Sequence, residues 1–334
     1  MTYTYFKSNP DQIIVELGRD RLIAVLKQML SVRHFERRAE AAYQEGKIGG
    51  FFHSYAGQEA IQTGVVAALG TQNWYITTYR CHALAMLLGV SLEDIGSELF
   101  GRANGNAKGR GGSMHLYADR LLGGFGIVGG HVPVATGAAF SIKYRKIARE
   151  VAVCFLGDGA VAQGAVHESL NLASLWNLPC IYVIENNKWG MGTGVGRALC
   201  MQRLSEDLAP VYRMKGYTVD GTDFFDCYAA FKHIHEEVLA THRPVLIEAL
   251  AERFRGHSVS DPGLYRTKEA LQNAMKTDPI SRLKSELFKR ALLGDEEFEA
   301  LDKEAREDSV KALEHADRSP WPDPIHLEED VFAP

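Results

Sequence analysis

Apolar positions along this chain follow two rhythms, a short run of neighbours and a helical spacing, and the two alternate most clearly across residues 151–193. Val151, Val153, Phe155 and Leu156 form a brief apolar run with β-branched members, ended by Gly157, Asp158 and Gly159. A helical stretch follows, then a second apolar run from 180 to 185 that stops at Asn186 and Asn187. Apolar runs of this length joined through a helix predict a βαβ unit in a parallel sheet buried on both faces. Both polar turns then fall at the carboxyl ends of their strands, where open α/β sheets place ligands. An acidic residue and an amide oxygen there, beside a helix amino terminus, suit a divalent cation holding a phosphorylated ligand.

The same reading predicts the other elements. Residues 20–44 carry Leu22, Leu26, Met29, Leu30 and Val32 near helical spacing, with Gly46 as a stop, and residues 1–18 read as a loosely attached arm. A glycine-bounded loop, 49–59, leads into a helix over 60–69; a strand at 74–78 is followed by Tyr79, Arg80 and a helix to 88. Ser91 caps a helix reaching 100. Residues 101–133 hold so few apolar side chains that an ordered functional loop, not a core element, is expected. A helix rich in small residues starts at 132, with Pro133 in its first turn. Further on come a helix (205–215), a short strand (217–220), an amphipathic helix (224–242), an apolar strand (244–250) and a polar loop (252–266). Charged helices at 268–275, 280–293 and 295–315 precede a proline-containing tail around Trp321.

The fold class expected is α/β, a parallel sheet with helices on both faces and a helical C-terminal extension. The chain divides into an arm (1–18), one α/β domain (19–266), and an extension with its tail (267–334) packed on that domain or on a partner subunit.

Composition narrows the function classes. With 334 residues, 46% hydrophobic and 24% charged, the chain can bury a sizeable core. A net charge of −5 disfavours a general nucleic-acid binder, while local arginines can still serve small anions. The five cysteines form no C-x-x-C pair and read as free thiols of a reducing compartment. No secretory signal is recognised, and no apolar run approaches the ~20 residues of a membrane helix. A cytoplasmic protein without membrane partners is expected.

Among single residues, Arg80 at a strand end offers a planar fork suited to phosphate. His53 lies in a loop, and a lone histidine by itself carries little weight. His233 and His235 stand two apart and cannot share a helix face, which disfavours a metal site. No G-x-x-x-x-G-K-[ST] occurs, and the G-x-G-x-x-G at 124–129 lies in the segment read as a loop, after no expected strand, so a generic nucleotide-binding protein is disfavoured.

The GDG at 157–159 and NN at 186–187, with 26 residues between them, are joined by YR at 79–80, KGRGGSMH at 108–115, GIVGGHVP at 126–133, ENNKWGMGT at 185–193 and RGHSVSDPG at 255–263. On these motifs the chain resembles the alpha subunits of thiamine diphosphate-dependent 2-oxoacid dehydrogenases, those of the pyruvate dehydrogenase type above all. The resemblance implies a thiamine diphosphate-binding fold. It implies Mg²⁺ held by Asp158, Asn187 and the backbone carbonyl of Trp189, a position where relatives often carry Tyr. Gly159 and Ala160, opening the next helix, would meet the diphosphate, with Tyr79 and Arg80 on its other side. Gly126 and Val128 match the aminopyrimidine cradle, and Ala118 counts among the cofactor positions. His53 and His257 match active-site histidines that also touch cofactor, and Arg253 a loop arginine near the cofactor channel. His131, where relatives often have Gln, is expected to lie further out.

The activity implied is oxidative decarboxylation of pyruvate, a small 2-oxoacid, with acetyl transfer to the lipoyl domain of dihydrolipoyl acetyltransferase. The glutamate that activates the cofactor ring has no match here, so the resemblance implies a beta subunit, in an assembly of two alpha and two beta chains. Acetoin dehydrogenase alpha subunits are the nearest alternative. Branched-chain alpha subunits usually have Glu at position 158 and lack GMGT at 190–193; a non-catalytic regulatory subunit would have lost site residues that are present here. Ser258 matches a position phosphorylated in eukaryotic relatives, against which a serine ordering its own loop is the simpler reading.

Overall fold

The computed structural model describes residues 5–329 and 331. The first four residues of the expected arm, and Asp330 with the last three of the tail, lie outside the described residues. Among the described residues nine strands run in chain order: β1 (Tyr5–Phe6), β2 (Trp74–Thr78), β3 (Leu121–Phe125), β4 (Ala152–Gly157), β5 (Cys180–Asn186), β6 (Trp189–Gly190), β7 (Thr193–Gly194), β8 (Lys215–Asp220) and β9 (Val245–Leu250). Seven of them form one sheet in the order β1-β8-β9-β5-β4-β2-β3, parallel throughout, while β6 and β7 make a small antiparallel hairpin.

The longer helices are α1 (Pro10–Gln44), α2 (Glu59–Leu69), α3 (His82–Leu87), α4 (Leu92–Leu99), α5 (Val132–Tyr144) and α6 (Gly164–Leu175). After the short α7 (Val195–Ala198) and α8 (Leu204–Leu208) come α9 (Phe224–Thr241), α10 (Lys268–Met275), α11 (Pro279–Lys289) and α12 (Asp295–Arg318). No helix among the described residues is long and apolar enough to cross a membrane.

Side-chain alternation explains the layering. Val153, Phe155, Ile181, Val183 and Ile247 point to one face, against Ile61 and Val65 of α2 and Phe231 and Ile234 of α9. Cys154, Leu156, Tyr182 and Ile184 point to the other, against Val132, Ala135 and Ala139 of α5 and Val166 and Leu170 of α6. All seven residues of β5 are buried, and each fully buried aliphatic there contributes about 1.5–3 kcal/mol. Strand β2 leads outward to β3, whereas its neighbour β4 leads the other way to β5. The switch point between β2 and β4 therefore opens a crevice at their carboxyl ends.

Three expectations change. The arm is not loose: β1 pairs with β8, and Ile13 and Leu17 are buried in a cluster with α9 and α11. Gly18, at φ 73°, interrupts α1 and hid this packing from the helical period. The 101–133 segment contributes a core strand after all, β3 at the sheet edge. Its Gly124 packs so closely that an added Cβ would sit 2.6 Å from Cys81 Sγ, so backbone fills the place of apolar side chains. The helix expected over 205–215 breaks at Pro210, and β8 begins earlier than expected, at Lys215.

Within that segment, residues 107–112 converge on one carboxylate. Glu98, fully buried near the end of α4, accepts from the amides of Ala107 (2.8 Å), Gly109 (2.9 Å), Gly111 (2.6 Å) and Gly112 (3.2 Å). Glu98→Ala leaves these donors without that partner and is expected to cost about 3 kcal/mol or more. The readout is faster proteolysis within 101–112 together with a lower thermal midpoint; cleavage at the wild-type rate would contradict it.

Candidate active site

The carboxyl ends of β2, β3, β4 and β5 surround a cavity of about 410 Å³. Tyr79, Arg80, Val128, Asp158, Gly159, Ala160, Asn187, Trp189, Arg253 and His257 all line it. His53 stands one ring back, 4.2 Å from Tyr79 and 5.0 Å from His257 between centroids. Gly126 follows β3 directly, where an added Cβ would lie 3.3 Å from His115 Nε2. Ala118 is not brought to the cavity: it bridges to Leu121 and packs against the core on the β3 side.

Strand β4 delivers the acidic wall. Residues Asp158–Ala160 form a 3-10 turn, and α6 starts only at Gly164. Gly159 and Ala160 thus open this turn and not the helix expected from the sequence. The first amides of such a turn have no partner within it, so they can still donate to an anion. Of the adjacent asparagines, Asn186 is structural: its Nδ2 donates to Glu248 (2.6 Å) and its Oδ1 accepts from the Lys188 amide (2.8 Å). Asn187 instead donates from Nδ2 to Gln58 Oε1 (3.0 Å). That leaves Asn187 Oδ1 and Asp158 Oδ2 as buried oxygens with no hydrogen-bond partner. Burial pushes Asp158 up to about 6, although hydrogen bonds from backbone amides and the charges of Arg253 and Arg80 oppose it. A hard cation wants such oxygens, and contact with one would favour the ionised carboxylate.

The opposite wall is cationic. Arg80, buried, donates from Nη1 to the Ser54 carbonyl (2.5 Å) and from Nη2 to that of His257 (2.6 Å), so it ties two loops together while lining the cavity. Arg253 donates to His257 Nδ1 (3.1 Å), the Met191 carbonyl (3.0 Å) and the Tyr265 hydroxyl (2.9 Å). A guanidinium only donates, so Nδ1 of His257 is the acceptor and a neutral ring carries its proton on Nε2. Burial, then the charges of Arg80 and Arg253, lowers His257 to about 4; burial and Arg80 take His53 to about 2. Arg253 falls to about 10 through burial and its proximity to Arg80, and still carries its charge at neutral pH. The wall therefore combines two fixed cations with neutral imidazoles, an arrangement suited to anionic ligands and to hydrogen bonding a carbonyl oxygen. Asp261 orders the loop by accepting from the His257 amide (2.6 Å) and the Tyr265 hydroxyl (2.7 Å). Ser258 is buried and shares a hydrogen bond with Ser260 of the same loop (2.9 Å).

Three cavity residues escaped or were undervalued in the sequence. His131, expected further out, lines the cavity; its Nε2 meets the Phe155 carbonyl at 2.7 Å and its Nδ1 is buried without a partner. Glu185, also lining it, accepts from the Tyr55 hydroxyl and from Gln62 Nε2, and burial pushes it up to about 7. A carboxylate inside the otherwise apolar run of β5 was the available signal. Gln58 was hidden in a loop, because its role depends on Asn187, 129 positions away.

Fold and site together give an α/β protein with a crevice suited to anions at the switch point of a parallel sheet. The chain belongs to the dehydrogenase E1 component family, whose model matches residues 27–325, and that family depends on thiamine diphosphate. It is similar to the pyruvate dehydrogenase E1 component subunit alpha of Rickettsia typhi, 39% identical over 316 residues that cover 94% of this chain and 96% of the relative. The subunit of that name from Rhizobium meliloti is 39% identical over 322 residues, 96% of this chain and 92% of its own. The mitochondrial one of Kluyveromyces lactis is 40% identical over 329 residues, 97% of this chain and 78% of its own.

Proposed function

We propose that this chain is the alpha subunit of a pyruvate dehydrogenase E1 component, oxidatively decarboxylating pyruvate and passing the acetyl group to the lipoyl domain of a dihydrolipoyl acetyltransferase. The observation that carries the reading is the pair of buried, unpartnered oxygens on Asp158 and Asn187, set at adjacent strand ends across from Arg80, Arg253 and His257. Such a pair fits Mg²⁺, whose other positions would go to diphosphate, water and the Trp189 carbonyl. The amides of Gly159 and Ala160, with Tyr79 and Arg80, would hold the diphosphate, and Gly126 and Val128 the aminopyrimidine.

When bound, thiamine diphosphate supplies the nucleophilic carbon and the electron sink for decarboxylation. The chain's own residues bind and orient. Arg253 and Arg80 attract the substrate carboxylate into the cavity. Nε2–H of His257 is the donor for the substrate carbonyl oxygen, and Arg253 keeps that tautomer in place. His53, packed on Tyr79 and His257, holds this donor in position. Ala118 has no role in this scheme.

Half of the enclosure comes from elsewhere in this reading. Ile127, Val128 and Met191 leave an apolar rim exposed at the cavity, and Val134, Phe140 and Tyr144 expose an apolar face of α5. These surfaces support a beta subunit as the cover; its place in a cytoplasmic assembly of two alpha and two beta chains rests on the resemblance alone. The extension from 267 onward is taken as an addition to the 19–266 α/β domain. With the beta chain reconstituted, pyruvate is expected to be favoured over acetoin by roughly tenfold or more in kcat/KM with an artificial electron acceptor. A preference for acetoin would move the chain to the acetoin dehydrogenases.

A further inference from the structure

A side-chain amide can present either its oxygen or its nitrogen to a cavity, in nearly the same shape, and its partner decides which. Asn187 meets that choice at the cavity: only its oxygen can serve a cation. Its partner is Gln58, 1% exposed, whose Oε1 lies 3.0 Å from Asn187 Nδ2. We propose that Gln58 is a positioning residue: by accepting from Nδ2 it turns Asn187 Oδ1 toward the cation. The inference rests on the reading of Asn187 as a cation ligand.

Gln58 is well placed to impose an orientation. It is the N-cap of α2, its own amide bonded to the Tyr55 carbonyl (3.1 Å) and its carbonyl accepting from Ile61 (3.1 Å). The next residue, Glu59, is fully buried and clamped by Arg33 at 2.5 and 2.9 Å, and it also accepts from the Gly57 amide (3.0 Å). The backbone carrying Gln58 is thereby pinned on both sides. Were the glutamine turned over, its Nε2 would face Asn187, and Asn187 would answer with its oxygen and aim Nδ2 at the cation. The two amides therefore turn as a pair. In the orientation described, Gln58 Nε2 is buried and has no protein partner that would hold it the other way round.

The test is Mn²⁺ affinity, read from the electron paramagnetic resonance signal of free Mn²⁺, with the alpha–beta assembly and thiamine diphosphate. Gln58→Met keeps the bulk and removes the acceptor, and should weaken Mn²⁺ binding roughly tenfold or more. Gln58→Glu keeps acceptor oxygens and offers no nitrogen, and should stay within about threefold of wild type. An unchanged thermal midpoint and circular dichroism spectrum for Gln58→Met would separate positioning from folding. Wild-type affinity in Gln58→Met, or equal weakening in both variants, would overturn the proposal. Asn187→Ala serves as control: undiminished Mn²⁺ binding there would instead sink the cation-ligand reading, and the proposal with it.

Discussion

Asp158→Ala is expected to lower turnover of the reconstituted enzyme by roughly three orders of magnitude or more, chiefly through loss of metal-dependent cofactor binding. Among the described residues, Asp158 carries the one cavity carboxylate oxygen that is buried without a hydrogen-bond partner. Glu185, the other carboxylate lining the cavity, has its Oε1 engaged by both Tyr55 and Gln62, and burial pushes it up to about 7, which disfavours the charged form a cation needs. Asp158→Asn sharpens the expectation. It keeps the shape and removes the charge, so binding should still collapse. Yet burial disfavours the charged carboxylate here, so the thermal midpoint of the cation-free protein should not fall. A variant that is folded, no less stable and unable to bind is the signature of a residue kept for function. A parallel loss of stability and binding would assign Asp158 to the scaffold.

The second large effect concerns completeness. The chain alone is expected to show no measurable pyruvate turnover, and addition of the beta chain should raise activity at least a hundredfold. The cavity holds what a diphosphate and a 2-oxoacid need, namely oxygens for a cation, two arginines and an oriented imidazole. What it lacks is enclosure, since Ile127 is 75% exposed and Met191 66% exposed at its rim. Water admitted there would weaken every electrostatic contact inside. The family resemblance also assigns the activating glutamate to the other subunit. Full turnover by the purified single chain, free of any beta subunit, would contradict this.

Much of the architecture was legible because the strands are buried on both faces. A run such as 180–185 has few physical readings, and its polar stop at Asn186 and Asn187 marks a strand end. The gathering of Asp158, Arg80 and His257 at one cavity was legible too, the last two mainly through resemblance. Strand β3 was not, because close packing at Gly123 and Gly124 replaces the apolar side chains that would have announced it. Nor was the packing of residues 5–17, since the break at Gly18 resets the helical phase. Gln58, Glu98 and Glu185 were invisible for a shared reason. Each is a buried polar group whose role is set by partners distant in the sequence or by loop amides, and no local pattern encodes such partners. The place of His131 is fixed by the Phe155 carbonyl and the cavity, which the residue type that relatives carry there does not encode.

In the proposed function, Asp158 and Asn187 would hold the cation that binds the diphosphate at the β4 and β5 ends. Calorimetric titration of thiamine diphosphate into the alpha–beta assembly, with and without Mg²⁺, tests it most directly. Mg²⁺-dependent binding to wild type is expected, and none to Asp158→Ala at the same concentrations. Binding that ignores Mg²⁺, or that survives Asp158→Ala undiminished, would contradict it.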